Sequence, residues 1–455
     1  KSGVCSGAYT ITTKDAATNT AAVLANTTVS MTGNGNGTFY SDNTCATAAA
    51  SVVIASGQSS AVFYFKDNTA ESLTFTVDDG PGGLTAGTIS MKTGPDRLTL
   101  AGSASFKSGT CQAYTVTSKD TANNTATVLA DLTLDVTDGA ASGSYFSDVG
   151  CGVGITQATI TNNTSAVTVY YKDDVAESIT LTAADNAAAL TSATLNITSG
   201  PDRLTLAATT PFQSGACQSV SVTSKDAAGN TKNVLGNITV NLTDGAASGL
   251  FYSDNGCGSA ITQTTIATGT NTTAFYYRDN VAESITLSAA DNAASLATGT
   301  LAVVTGPDHL LLAGNATFKT GTCQAYTVTS KDQAGNTTSV LTNTTVNVSD
   351  GAASGSFFSD NICTIGITST SILSGSSSAT VYYIDDVAEI LTLNADDATA
   401  SLASATLVIQ SGPSKFILTG TTQIQSGTCN AYTITTKDVA NNVATVLGNT
   451  TVDLT

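Results

Sequence analysis

The stretch Leu195-Asn196-Ile197-Thr198-Ser199-Gly200-Pro201-Asp202-Arg203-Leu204-Thr205-Leu206 reads as the end of one β-strand, a break and the start of another. Leu195 and Ile197 alternate with Asn196 and Thr198, the period-2 pattern of a half-buried strand. Pro201 fixes φ and has no N–H to donate, so the ladder stops there. The same Gly-Pro step stands at Gly94-Pro95, Gly306-Pro307 and Gly412-Pro413, each 106 residues from the last. The cysteines keep that step. Cys5, Cys111, Cys217, Cys323 and Cys429 form one series, and Cys45, Cys151, Cys257 and Cys363 another. Ser41-Asp42 and Ala70-Glu71 recur in the same register, and the one slip is an extra residue between Cys5 and Asp15. A period of this length exceeds a solenoid repeat and matches an independent domain. The chain therefore divides into 1–93, which lacks its first strand, three whole repeats at 94–199, 200–305 and 306–411, and a partial repeat at 412–455 that holds only first strands.

Within 94–199 the pattern predicts short strands. They start at Leu98, at Ala113 (Tyr114 and Val116 on one face), at Leu132 (Leu134 and Val136 inward), at Ser144, from Ile155 to Ile160, at Ala166, at Ser178 and at Ala193. No window carries a helical stripe. Seven or eight strands in this length predict an all-β chain of tandem immunoglobulin-like antiparallel β-sandwiches. The short Pro-containing joins predict that these stand end to end as a rod. In Tyr170-Tyr171 and Tyr276-Tyr277 neighbouring rings point to opposite faces, so one of each pair enters the core.

Composition limits the function. Among 455 residues, charged side chains are 11 %, against roughly 25 % in ordinary domains. The net charge is -18, which argues against nucleic acid and anionic lipid. One histidine, His309, takes the place held by Arg97, Arg203 and Lys415 and reads as a surface cation, so neither a repeated zinc site nor a repeated histidine base is available. No run approaches a membrane span.

Lys225-Asp226-Ala227-Ala228-Gly229-Asn230, Phe251-Tyr252-Ser253-Asp254-Asn255-Gly256-Cys257 and the run from Phe275 to Asp291 resemble segments of the bacterial immunoglobulin-like repeats of invasin/intimin type, found in large prokaryotic surface proteins. The resemblance covers essentially the whole chain. It implies an extracellular stalk, adhesin or fibre without catalytic activity. Lectin-like tip, membrane barrel and wall-anchor motifs of such proteins are not seen in this stretch.

Each pair Cys5/Cys45, Cys111/Cys151, Cys217/Cys257 and Cys323/Cys363 is 40 residues apart, without CxxC spacing. The expectation is one disulfide per repeat, against free buried thiols, with Cys429 unpaired in this segment. Disulfides place the chain outside the cytosol, extracellular or at the cell surface. Recurring carboxylates, Asp148, Asp173, Glu177, Asp185 and Asp202, have two readings. One is turn chemistry. The other is calcium at the junctions, with Asp173, Glu177, Asp185 and Asp202 as ligands. No DxDxDG-like loop supports the second, so no cofactor is expected. Asn-x-Ser/Thr sequons, such as Asn26, Asn163, Asn196, Asn237, Asn271, Asn315 and Asn343, suit either glycans or chance in an Asn- and Thr-rich chain.

The reading is thus a structural repeat segment of a surface fibre, filament or stalk. The alternative is an adhesin that binds a host, prey, glycan or matrix partner. Its partners are copies of the same chain or the continuation of a longer repeat protein; the incomplete ends suit a window on such a protein better than completion by neighbouring copies.

Overall fold

The computed structural model describes all residues except 140–141, 246–247 and 352–353. The described chain is built of β-strands, with a 3₁₀ turn at Gly80–Gly82. It forms two compact units, residues 1–203 with 224–235, and residues 204–223 with 236–455.

In the first unit, residues 94–199 make two five-stranded sheets. One runs Gly154–Ile155, Ser144–Phe146, Ala166–Lys172, Gln112–Lys119, Arg97–Gly102. The other runs Gln157–Ile160, Leu132–Thr137, Ser178–Asp185, Ala193–Gly200, Ser105–Lys107. Among the described residues the ladders are antiparallel except that of Ser105–Lys107, which lies parallel to Ala193–Gly200, and an isolated parallel bridge joins Arg97 to Thr191. Val and Thr alternate along these strands because a β-branched side chain packs well on one pleated face while a hydroxyl meets water on the other. Tyr114, Val116, Leu134, Ile160, Val169, Tyr171, Leu181 and Ile197 from both inner faces make the core. Each fully buried apolar side chain of this size contributes roughly 1.5–3 kcal/mol. Tyr171 is inside and Tyr170 half-buried, in line with opposite faces.

Two features differ from the strand pattern expected above. Ile155 to Ile160 is not one strand. Gly154–Ile155 pairs with Ser144–Phe146 in one sheet, and Gln157–Ile160 pairs with Leu132–Thr137 in the other. The chain thus changes sheets within three residues. Ser105–Lys107, too short to show any period, is a strand as well.

Residues 1–93 carry the smaller version, with sheets of three and four strands around Phe39, Phe63, Phe65 and Phe75. Where later repeats have a buried Tyr bonded to an Asp, Tyr171 Oη to Asp138 Oδ2 at 2.9 Å, this repeat has Phe65 and Thr32. The hydroxyl and its acceptor are exchanged together, so neither is left buried alone.

In the second unit, residues 306–411 repeat the two five-stranded sheets and a core of Leu310, Tyr326, Val346, Val381, Tyr383 and Leu393. Gln218–Lys225 pairs with Thr272–Arg278 from Gln218↔Tyr277 to Thr223↔Thr272. Residues 412–455 contribute one two-stranded ladder, Lys415–Gly420 with Tyr432–Lys437. Phe416 there is 49 % exposed, whereas Leu310 at the same place in the preceding repeat is 3 % exposed.

Candidate functional site

Four disulfides join Cys5–Cys45, Cys111–Cys151, Cys217–Cys257 and Cys323–Cys363, with Cα atoms 5.7–5.8 Å apart, and Cys429 is free and exposed. In residues 94–199 the bridge clips the start of Gln112–Lys119 to the loop between Ser144–Phe146 and Gly154–Ile155 of the same sheet. That loop is shaped by a half-buried aspartate. Asp148 accepts N–H bonds from Gly150 (3.1 Å), Gly152 (3.0 Å) and Val153 (2.7 Å) and turns the chain so that Cys151 reaches φ 51°. Gly152 and Val153 hold the Asp148 carboxyl below the usual carboxylate range.

The most elaborate polar construction lies where one repeat meets the next. Its centre is the turn Lys225–Asn230. The turn closes on itself because Asp226 N–H donates to Asn230 O (2.9 Å) and Gly229 N–H donates to Asp226 O (3.0 Å). The Asp226 carboxylate then accepts Asn230 N–H at 2.8 Å and the Asn230 side-chain amide at 3.2 Å. Its Oδ2 has capacity left, and the backbone N–H of Ala176 from the preceding repeat fills it at 3.1 Å. Two more bonds close the clasp. Ala227 N–H donates to Ser108 Oγ (3.1 Å), and Ala228 N–H donates to Asp174 O (2.9 Å). Ser108 in turn donates its N–H to Gly200 O at 2.9 Å. A Cβ on Gly109, at φ +77°, would stand 2.9 Å from the Ala227 methyl, so only glycine fits this close approach.

The clasp recurs. Asp120 receives Ala70 N–H at 3.0 Å, Asp332 receives Ala282 at 3.2 Å, and Asp438 receives Ala388 at 3.1 Å. The serine contact recurs as Ser2 with Thr121 and Ser214 with Gln333. At the last junction Thr320 takes the serine's place and its buried hydroxyl has no partner. Burial alone would raise the Asp226 carboxyl, but the N–H groups of Ala176 and Asn230 and the Asn230 amide hold it below the usual range.

Asp173 and Glu177 come together in the loop that supplies Ala176. Asp185 and Asp202 do not join them. Asp185 organises its own turn, accepting N–H from Ala187 (3.0 Å) and Ala189 (2.9 Å). Asp202 lies against Arg203 at 3.4 Å. Among the described residues no group of three or more His, Cys, Asp or Glu is placed to hold a metal ion. His309 Nδ1 faces Asp308 Oδ1 at 2.7 Å. The clasp aspartates were visible in the sequence only as a turn marker. Their repeated Asp and Asn, four residues apart, was the available signal; the acceptor role toward a residue 50 positions away was not.

The chain matches no family model and no curated protein. Among solved structures it is similar to the Escherichia coli adhesin FdeC, at 17 % identity over 69 % of this chain and 96 % of that one, with a TM-score of 0.36. It is similar to invasin, a bacterial integrin-binding protein, at 12 % identity over 91 % of this chain and 78 % of that one, with a TM-score of 0.33. The D00–D0 domain of intimin gives 15 % identity, 45 % and 98 % coverage and a TM-score of 0.26. These are likenesses of fold. Among the described residues no helix is long and apolar enough to cross a membrane.

Proposed function

We propose that this chain is a load-carrying repeat segment of an extracellular fibre, filament or stalk, without catalytic activity. The observation that carries the reading is the clasp. At four successive junctions a buried aspartate of one repeat holds a backbone N–H of the repeat before it. Such a bond locks direction as well as distance, because the N–H and the carboxylate must align. Short Pro-containing joins remove the slack that a Gly/Ser linker would leave. Within each repeat a disulfide across 40 residues removes about 4 kcal/mol of unfolded-chain entropy in the simple loop model, which suits a protein working outside the cell.

Single-molecule force spectroscopy tests the reading. Each repeat is expected to unfold in one sharp high-force event, and in the four-fold variant of Asp120, Asp226, Asp332 and Asp438 to Ala at clearly lower force with the repeats still folded. Wild-type repeats that give way at the same force as the variant would refute it.

A further inference from the structure

Beside each clasp lies a second acid that the clasp does not use. Asp173 is 1 % exposed. Its backbone oxygen accepts Gly109 N–H at 2.7 Å, and its Oδ1 accepts Val175 N–H at 2.8 Å. Its Oδ2 is buried and has no hydrogen-bond partner. The Glu177 carboxyl group lies beside the Asp173 carboxyl group. Glu177 Oε1 is itself held by the Ser142 hydroxyl.

The arrangement recurs with different supports. Asp67 Oδ2 is buried and unpartnered, and Glu71 beside it is held by Asn36 N–H at 2.7 Å. Asp279 Oδ2 is buried and unpartnered, and Glu283 is held by Ser248 Oγ at 2.5 Å. In the fourth pair, Asp385 with Glu389, Ser411 Oγ reaches Asp385 Oδ2 at 3.3 Å.

Two ionised carboxylates cannot satisfy one another, since both only accept. A proton on one changes that: it supplies the missing donor and removes the repulsion at once. We propose that each of three pairs, Asp67–Glu71, Asp173–Glu177 and Asp279–Glu283, takes up one proton from solvent, shared between the aspartate and the glutamate, so that these repeats are strengthened by mild acid, whereas Asp385, whose Oδ2 already has the Ser411 hydroxyl, does not take part. The other charged groups around Asp173 do not supply this donor. Tyr171 gives its hydroxyl to Asp138, and Lys172 pairs with the exposed Asp174 at 3.3 Å. Asp226 of the next repeat is occupied by the N–H groups of Ala176 and Asn230. Burial and the charge of Glu177 raise the Asp173 carboxyl above the usual range, in the same sense.

The sign follows. An acid raised in the folded state binds its proton more tightly there than in the unfolded chain. Stability therefore grows as pH falls through the folded value and is fully present below the unfolded one. Thermal unfolding of the whole chain between about pH 7.5 and about pH 5 is the test. The wild type is expected to gain several degrees on acidification. The three-fold Asp67→Asn, Asp173→Asn, Asp279→Asn variant, whose amides donate permanently, is expected to be at least as stable at neutral pH and to lose the gain. A flat or falling wild-type curve overturns the proposal, as does a variant less stable than wild type at neutral pH. So does a melting temperature raised by added calcium at neutral pH, which would put a cation between the acids. Should the variant not fold, proton uptake on refolding the wild type near neutral pH decides, and its absence overturns the proposal.

Discussion

Asp226 and Asp173 are neighbours across one junction, both essentially buried at 0 % and 1 % exposure, yet their carboxyl groups shift in opposite directions. Three N–H donors converge on Asp226. Asp173 has one on Oδ1, and its other oxygen faces a second acid. Both are closed to solvent, but Asp173 lies deeper, beside the charge of Glu177 and with fewer donors, and all three differences push the two carboxyl groups apart. An ionised carboxylate is tolerated in the interior where enough N–H dipoles point at it, and becomes a proton acceptor where they do not. One aspartate ties repeats together, and the other answers to acid within its own repeat.

The comparison breaks most visibly at Asp226. Asp226→Ala strips the acceptor from Ala176 N–H and Asn230 N–H and leaves them beside an apolar methyl. The expected loss is about 3 kcal/mol in the unfolding of the coupled repeats, measured by denaturant titration. Asp226→Asn keeps one acceptor oxygen and is expected to lose less. A lowered acid contributes stability above its unfolded value and forfeits it as pH falls through the folded one. The clasp should therefore survive mild acid and open only below the ordinary carboxylate range. A junction that loosens already near pH 5 would contradict the donor argument.

Ser108→Ala is the next largest. It removes the acceptor of Ala227 N–H while leaving both aspartates in place, and about 1–1.5 kcal/mol should be lost. Hydrogen exchange at Ala227 reads the effect directly: the amide is expected to exchange faster, while that of Ala176 on Asp226 holds. Asp173→Asn works in the other direction. It should gain about 1 kcal/mol at neutral pH, since an N–H replaces the repulsion at Oδ2. Measured together, Asp226→Ala and Asp173→Asn should move stability with opposite signs across one junction.

Much of this architecture was legible in the sequence, and the reasons for the rest are physical. Alternation marked Tyr114, Val116, Leu134 and Val136 as inward, because a buried face imposes a period of 2. The 106-residue step is written in the letters themselves, and the two cysteine series in that register are joined as four disulfides. Ile155 to Ile160 misled because alternation is blind to which sheet a residue joins, and the chain crosses between sheets inside that run. Ser105–Lys107 is three residues long, below any period. The carboxylates were the hardest. Asp173, Glu177, Asp185 and Asp202 look alike as letters, but Glu177 meets a serine hydroxyl and Asp202 an arginine, while Asp173 and Asp185 meet backbone amides, and every amide carries the same N–H whatever its side chain. Only the fold shows that Ala176 lies against Asp226.

The smallest effect is expected at the last junction, and it tests whether the clasp depends on detail. There Thr320 stands where Ser108 and Ser214 stand, with Val439 in the place of Ala227 and Gln333. Thr320 keeps the backbone part of the join, its N–H donating to Gly412 O at 2.9 Å, and Asp438 keeps Ala388. What it lacks is a partner for its own hydroxyl. A β-branched side chain has few χ1 choices, and the added methyl competes with Oγ1 for the space beside Val439. Thr320→Ser removes the methyl and frees the hydroxyl to turn toward the Val439 amide, as Ser108 does toward Ala227. A gain of about 0.5–1 kcal/mol is expected, with slower hydrogen exchange at the Val439 amide as the specific readout. No change at that amide would mean that the serine hydroxyl adds nothing to a junction already held by its aspartate, and the clasp would reduce to the carboxylate alone.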